Sequence, residues 1–564
     1  MTKFILQTIL LLVLSVPCWS QNHMELKASE DKSSGVIRDL SNNNWKIVLD
    51  KSASWIQDPL YAPPVDVTKM KINMPTGGWD ALNKETGVTT TLPATVEQFF
   101  WGDNGNTFGV SGNYLGVSWF TTSFNAATAL KGKRLVLSFE SVRFRAEVFV
   151  NKKLVGYDLV NGTPFEIDIT NAVKYGGNNE IAVRITDPNG NFDWRDSQNF
   201  MWGDYRTNPT HGFGGITGKV KLIATDMVYI SDIFVKNKPK VNEIDVDITT
   251  SNQTSKKVSG NLLLQIRESK GDGKLIFEKS YPLESQPNGG TPVTLTIAVD
   301  DIKPWSTDQP NLYVLTARWA GANKISDEYH QRFGFRWFEV RDVDGDKQFY
   351  LNGKRFVALT SISWGFWPVN GIAPSDQLAR KQIETAKKIG LNMLTFHRTI
   401  GQESVLNYAD ELGLLYFAEP GGNQYPAERF NASDVLGKKQ AYFYFAARNE
   451  KLFRMIKRDR NHPSLVIYNM HNERGAQPQK QDSLQMLAAH KLDPPDRNYR
   501  KAPFRLRYKN QQQMYHQAVI LCGSFLPQHK AALRIWILTR YRLWDFYNYQ
   551  LFPNDFQASC SPSH

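Results

Sequence analysis

The chain has 564 residues, a formal net charge of +12, three cysteines and 12% aromatic residues, among them 15 tryptophans. That length suits three or four domains of about 100–200 residues each, and cysteines at Cys18, Cys522 and Cys560 alone exclude a disulfide framework. The charge argues against a nucleic-acid binder once it is located: residues 495–564 hold ten Lys/Arg against three Asp and no Glu, so +7 of the excess lies there.

Met1-Thr-Lys3, the apolar run from Phe4 to Leu14 and the small residues around Cys18-Trp-Ser20 read as a secretory signal over residues 1–20. The run is too short to cross about 30 Å of hydrocarbon, so no membrane span is expected, and the mature protein is placed outside the cell or in a periplasm. A lipoprotein anchor through Cys18 is the alternative, which Pro17 fits poorly. From 40 to 225, short runs such as Leu135-Val-Leu-Ser-Phe139, Ala146-Glu-Val-Phe-Val150 and Glu180-Ile-Ala-Val-Arg-Ile185 alternate apolar with polar residues, as an antiparallel sandwich requires. A second β pattern fills 226–335, with strands at Val246–Thr249, Leu262–Ile266, Val293–Ile297 and Tyr313–Ala317, the spacing of an immunoglobulin-like sandwich.

Past 336 strand and helix alternate. The expected strands are 357–361, 392–397, 414–418 and a fourth beginning at Ser464; the helices are 376–389, 403–412 and 434–457. Such alternation implies parallel β/α units, four of the eight that close a barrel, over 336–494. Four units alone leave an open sheet edge. Beyond Asp493 the chain follows neither period, and 495–564 reads as an aberrant basic tail translated out of frame. Asp342-Val-Asp-Gly-Asp346 begins like a calcium loop, but Lys347 and Gly353 stand where glycine and a bidentate glutamate are needed, so it reads as a turn. No metal or cofactor site is expected.

Carboxyl ends of parallel barrel strands face the active site. On that face fall His397 and Arg398 after the second strand, Trp364 and Trp367 after the first, Glu419 after the third, and Asn472 with Glu473 after the fourth. Trp364 and Trp367 suit a stacking platform or core packing, His397 a sugar contact or a satisfied core histidine, and Glu419 a substrate contact or a pair with Arg398.

Arg458-Asp-Arg-Asn-His-Pro-Ser464, an apolar strand, then Asn472-Glu473 resembles the acid/base signature of glycoside hydrolase family 2, the β-galactosidase and β-glucuronidase family. Gly116-Val-Ser-Trp-Phe120, Thr163 to Thr170 and His211 to Gly218 are similar to that family's sugar-binding jelly roll, and Pro304-Trp305 with Gln309 to Tyr313 to its connection into the last spacer strand. The resemblance implies a multidomain chain: a β jelly-roll sandwich, an immunoglobulin-like β-sandwich, and here part of a (β/α)8 TIM barrel. It further implies retaining hydrolysis of O-glycosides with Glu473 as general acid/base and Asn472 beside the sugar hydroxyl next to the reacting carbon. Retention needs a second carboxyl about 5–5.5 Å away as nucleophile. The family carries it on the seventh strand, and no glutamate follows Glu473 here, so the chain as it stands is expected to be inactive. Thr395 stands where the family often has Arg, and Trp364 and Trp367 where it often has His. The expected partner is a carbohydrate. A non-catalytic carbohydrate-binding protein is the alternative to a glycosidase.

Overall fold

The computed structural model describes residues 32–34, 36–84, 87–100, 114–188, 200–207, 212–321, 324–365, 367, 373–421, 437–469, 480–493 and 519–521. In the first sandwich, a six-stranded antiparallel sheet runs in the order 153–158, 145–150, 177–187, 116–126, 45–50, 88–90. It faces a four-stranded sheet ordered 165–168, 134–139, 220–225, 36–39. Successive side chains on a strand point to opposite faces, and Phe165–Asp168 obeys this, with Phe165 and Ile167 buried and Glu166 and Asp168 exposed. Leu137, Phe139, Val148 and Val183 meet between the sheets.

The second sandwich packs a three-stranded sheet (228–237, 243–252, 289–298) on a five-stranded one whose edge is Lys32–Ser34, paired antiparallel with Lys324–Phe333. The sheet of the first sandwich thus takes in Val36–Asp39, upstream of the expected limit at 40, and the segment just before it belongs to the neighbouring module.

A meander of Phe338–Val343, Asp346–Leu351 and Lys354–Phe356 leads into the parallel sheet. Its loops are Asp344-Gly345 and Asn352-Gly353, and all four residues have positive φ, between 51° and 85°. Two-residue hairpins take Asp-Gly and Asn-Gly because their twist requires that left-handed backbone. The calcium-like phrase is therefore a hairpin turn, with Asp342 accepting from the Gly345 amide at 2.8 Å.

The parallel module comprises β1 (Thr360–Ser363), α1 (Asp376–Lys388), β2 (Met393–Phe396), α2 (Glu403–Leu412), β3 (Leu415–Ala418), α3 (Gly437–Asp459), β4 (Leu465–Asn469), α4 (Lys480–Leu492) and β5 (Val519–Leu521). Strands β1 to β4 are neighbours in sequence order and pair in parallel. Strand β5, from the basic tail, runs antiparallel along β4, so the edge expected to be open there is occupied. Alternate residues divide between two cores. Leu394, Phe396 and Tyr416 pack on the helices with Ile383, Leu406 and Met455. Met393, Leu415 and Phe417 turn the other way, onto Trp305, Phe338 and Leu351 of the spacer and meander. Being covered on both faces is why Met393–Phe396 and Leu415–Ala418 are almost wholly apolar.

Candidate active site

At the carboxyl ends of β2 and β3 the side chains interlock. Glu419 is 1% exposed; its Oε2 accepts the backbone N–H of Arg398 at 2.6 Å and its Oε1 accepts Nδ2 of Asn469, the last residue of β4, at 2.5 Å. Glu419 therefore ties three adjacent strand ends together. Arg398 has a left-handed φ of 58°, uncommon for a residue with a side chain, and the carboxylate on its amide helps hold that bend. Its guanidinium lies 5.6 Å from the centre of the Trp364 ring, whose face also takes the His397 imidazole in an edge contact at 4.4 Å. Burial, with the Arg398 charge adding to it, pulls the His397 pKa down to about 4. The imidazole is accordingly neutral at physiological pH, available as a donor or acceptor.

Of the two tryptophans, Trp367 is 9% exposed and belongs to the helix-facing core, whereas Trp364 is half-buried beside the cluster. Thr395 is buried, its hydroxyl 3.3 Å from that of Thr360 on β1. Asn472 and Glu473 lie outside the described residues; β4 is described up to Asn469, four residues before Glu473.

The signature before β4 has a mechanical role that its residue types did not announce. Arg458 pairs with Asp459 and donates to the Gly401 carbonyl at 2.7 Å and to Gly162 of the first sandwich at 3.3 Å. Asn461 spans the backbone of a spacer strand: its Oδ1 accepts from Val235 N and its Nδ2 donates to Ile233 O, both at 2.9 Å. Arg460 pairs with Asp232 of the same strand. His462 Nδ1 lies 2.6 Å from Asp410, which also accepts from Ser464 N at 3.1 Å. Burial raises the Asp410 pKa, but His462, Arg332 and the Ser464 amide outweigh it and hold this carboxyl below its ordinary range. Asp410 thus serves the amino-terminal end of β4, on the side of the sheet away from Glu419. Trp305 seals the same seam, fully buried with Nε1 donating to the Asp410 carbonyl at 2.8 Å.

Helix α3 packs against the first sandwich. Phe443 and Ala447 enter a cluster with Trp202, and Arg454 reaches Asp158 at 2.8 Å. Lys451, one turn earlier on that face, is only 8% exposed, and no feature of the sequence singled it out. A cavity of about 1640 Å3 runs between the three modules, lined by Asn161 and Gly162 of the first, Arg318 of the second, and Arg398, Gly401 and Lys451 of the third. Among the described residues no group of three or more His, Cys, Asp or Glu is placed to hold a metal ion, and no helix is long and apolar enough to cross a membrane.

Two sandwiches precede a parallel β/α sheet that carries an aromatic and basic cluster at its strand ends, the architecture of a modular β and β/α chain. Family models agree along the chain: "Glycosyl hydrolases family 2, sugar binding domain" matches residues 107–232, "Glycosyl hydrolases family 2" residues 228–336, and "Glycosyl hydrolases family 2, TIM barrel domain" residues 340–500. The chain belongs to glycosyl hydrolase family 2. It is 29% identical over 371 residues to a beta-galactosidase of Thermoanaerobacter pseudethanolicus, an alignment covering 64% of this chain and 45% of that protein. With a beta-glucuronidase of Formosa agariphila it shares 24% identity over 407 residues, covering 68% and 39%. The chain thus spans less than half the length of these curated relatives. Among solved structures, a family 2 member from Bacteroides cellulosilyticus superposes with a TM-score of 0.62 at 20% identity, over 81% of this chain and 55% of that one. A beta-galacturonidase from Eisenbergiella tayi bound to galacturonate gives 0.60 at 19%, over 82% and 71%. At such identities the likeness is one of fold.

Proposed function

We propose that the chain is part of an exported glycoside hydrolase of the β-galactosidase/β-glucuronidase type, acting on O-glycosidic bonds in carbohydrate catabolism by a retaining mechanism. The observation that carries this reading is the strand-end cluster of Glu419, Asn469, Arg398, Trp364 and His397 on the face toward which β4 runs, with Glu473 four residues beyond. Trp364 offers a sugar ring an apolar face, Arg398 and neutral His397 offer hydrogen bonds, and Glu419 keeps the strand ends in register. Glu473 protonates the leaving oxygen and later activates water, while a second carboxylate attacks the sugar carbon. The matching family names, and beta-galactosidase and beta-glucuronidase as the names of relatives, support the reading. The apolar run near Met1 supports export.

No glutamate follows Glu473, and Asp410, a carboxylate of the parallel module, is spent on His462 and Ser464. The 564-residue polypeptide by itself should therefore bind sugar without turning it over, which is the behaviour of the carbohydrate-binding alternative. Purified protein is assayed against nitrophenyl β-galactoside and β-glucuronide, with monosaccharide binding followed by calorimetry. Binding without release of nitrophenol is expected. Turnover abolished by Glu473→Gln would overturn the inactivity and uphold the glycosidase; absence of both binding and turnover would defeat the whole reading.

A further inference from the structure

The dipeptide Asn-Gly occurs six times, at 104, 161, 189, 288, 352 and 370, and the pairs at 161, 288 and 352 fall among the described residues. At Asn161-Gly162 the glycine carbonyl is engaged in the seam between modules, accepting from Arg458 at 3.3 Å. The other two share one backbone. Asn288 and Asn352 are both left-handed, with φ of 52° and 51°, and each leads through its glycine into a strand, Gly289–Ala298 and Lys354–Phe356. What differs is the side chain. Asn352 is held at both ends: its Oδ1 accepts the Trp337 N–H at 2.8 Å and its Nδ2 donates to the Trp305 carbonyl at 2.9 Å. Asn288 is exposed, and among the described residues its carboxamide has no partner; its backbone N–H alone is tied, to the Thr254 carbonyl at 3.1 Å.

An asparagine whose side chain is free beside glycine has a chemistry of its own. Its Cγ can be attacked by the backbone nitrogen of the next residue, and the missing side chain on that residue leaves the approach open. At Gly289 the surroundings keep it open: a Cβ built there would meet nothing nearer than the Pro287 carbonyl oxygen at 4.0 Å, and the residue is exposed. Gly289 is also the first residue of its strand, where the ladder with Glu243–Asn252 ends at the pair Asn252–Gly289, so little pairing is given up when its nitrogen moves. Gly353 is nearly as open, with Arg341 Nη2 at 3.9 Å. The contrast between the two pairs therefore rests on the carboxamide, bound at 352 and unbound at 288.

We propose that Asn288 is a site of spontaneous deamidation, which turns this tip of the spacer sandwich into a mixture of aspartate and isoaspartate. Solvent takes the proton of the Gly289 N–H as the nitrogen bonds to Asn288 Cγ, and returns one to Nδ2; the Cγ–Nδ2 bond breaks and ammonia leaves, closing a succinimide. Water then opens the ring. Cleavage between the nitrogen and Cγ gives aspartate, and cleavage between the nitrogen and the main-chain carbonyl carbon gives isoaspartate, with the chain running through Cγ. In sum an amide and a water become a carboxylic acid and ammonia, with neither oxidant nor cofactor, and the acid ionises at neutral pH to add a negative charge. Isoaspartate lengthens the backbone by a methylene group, which loosens the pairing of Gly289 with Asn252 and of Gly290 with Ser251, while Ile248 and Ile297 stay packed in the sandwich core.

The test is incubation of the folded full chain in mildly alkaline buffer made with 18O water, then digestion in ordinary water and mass spectrometry, with isoaspartate told from aspartate by electron-transfer fragmentation. The Asn288 peptide is expected to convert with uptake of a labelled oxygen and at least about ten times faster than the Asn352 peptide, whose carboxamide must first break two hydrogen bonds. In the chain unfolded by urea the two rates should converge. Gly289→Ala, whose methyl group enters open space, should suppress the conversion without disturbing the fold. An Asn288 that stays intact in the folded chain while the unfolded chain reacts would overturn the proposal, as would equal rates at 288 and 352 in the folded chain. Conversion without label, or undiminished in Gly289→Ala, would refute the succinimide route.

Discussion

Replacing Asn461 by alanine isolates the mechanical part of the signature. Its side chain is 6% exposed and bridges Val235 N and Ile233 O, so the change orphans one buried donor and one buried acceptor of the spacer strand Val228–Asn237. Each orphaned group costs about 1–3 kcal/mol, which gives about 2–6 kcal/mol for the pair when water does not enter the seam. The assay is hydrogen exchange of the peptide over 228–237, combined with urea unfolding followed at the seam. Every 1.4 kcal/mol is about a factor of ten, so the Val235 amide should exchange at least about ten times faster. Lys457→Ala, on the exposed side of α3, is the control and should change nothing. Unchanged protection of 228–237 together with a stability loss under about 0.5 kcal/mol would refute the clamp, since a loss that small is typical of surface positions.

Glu97 is 3% exposed with Oε2 unpartnered, and burial, then the Asp187 charge, raise its pKa well above the ordinary carboxyl value. A raised folded pKa gives stability that is present below the unfolded value of about 4.3 and is lost as pH rises through the folded one. Glu97→Gln should accordingly match the wild type at acid pH and melt higher than it at neutral and alkaline pH; parallel Tm profiles from pH 4 to 9 would show the carboxyl to be ionised at no cost. Glu147 is fully buried and serves Arg184 at 2.6 Å, Arg145 at 3.2 Å and Asn73 at 2.9 Å. Glu147→Ala leaves two buried guanidinium groups short of a partner and should cost about 3–5 kcal/mol, read as a fall in the sandwich's melting transition; a loss under about 1 kcal/mol would mean that Asp58 alone sustains both.

The parallel module was legible because its strands are covered on both faces, which leaves Met393 to Phe396 and Leu415 to Ala418 almost wholly apolar, and because Asp344-Gly345 admits a single kind of hairpin. The cluster of His397, Arg398, Trp364 and Glu419 could be assembled from strand-end position alone. Lys451 could not. On α3 it stands among Arg448, Glu450, Arg454, Lys457 and Arg458, a composition that reads as a solvated face, and only the first sandwich lying across it turns that face inward. Strand periodicity records which residues avoid water, not which domain keeps the water away. For the same reason Arg458 and Asn461 looked like parts of a chemical signature, whereas Asn461 bonds to the spacer strand and Arg458, besides Asp459 and Gly401 of its own module, reaches Gly162 of the first sandwich.

Those bonds bear on recombination. Asp158 and Gly162 are read by Arg454 and Arg458, and Ile233 and Val235 by Asn461, so the turn that launches β4 has been fitted to two particular neighbours. A sandwich borrowed from a distant homologue would fold on its own yet meet the helix with mismatched partners, leaving buried guanidinium groups to find new acceptors. Successful chimeras should therefore exchange the loop at 158–162 and the strand Val228–Asn237 together with the helix that grips them, treating the three as one heritable unit.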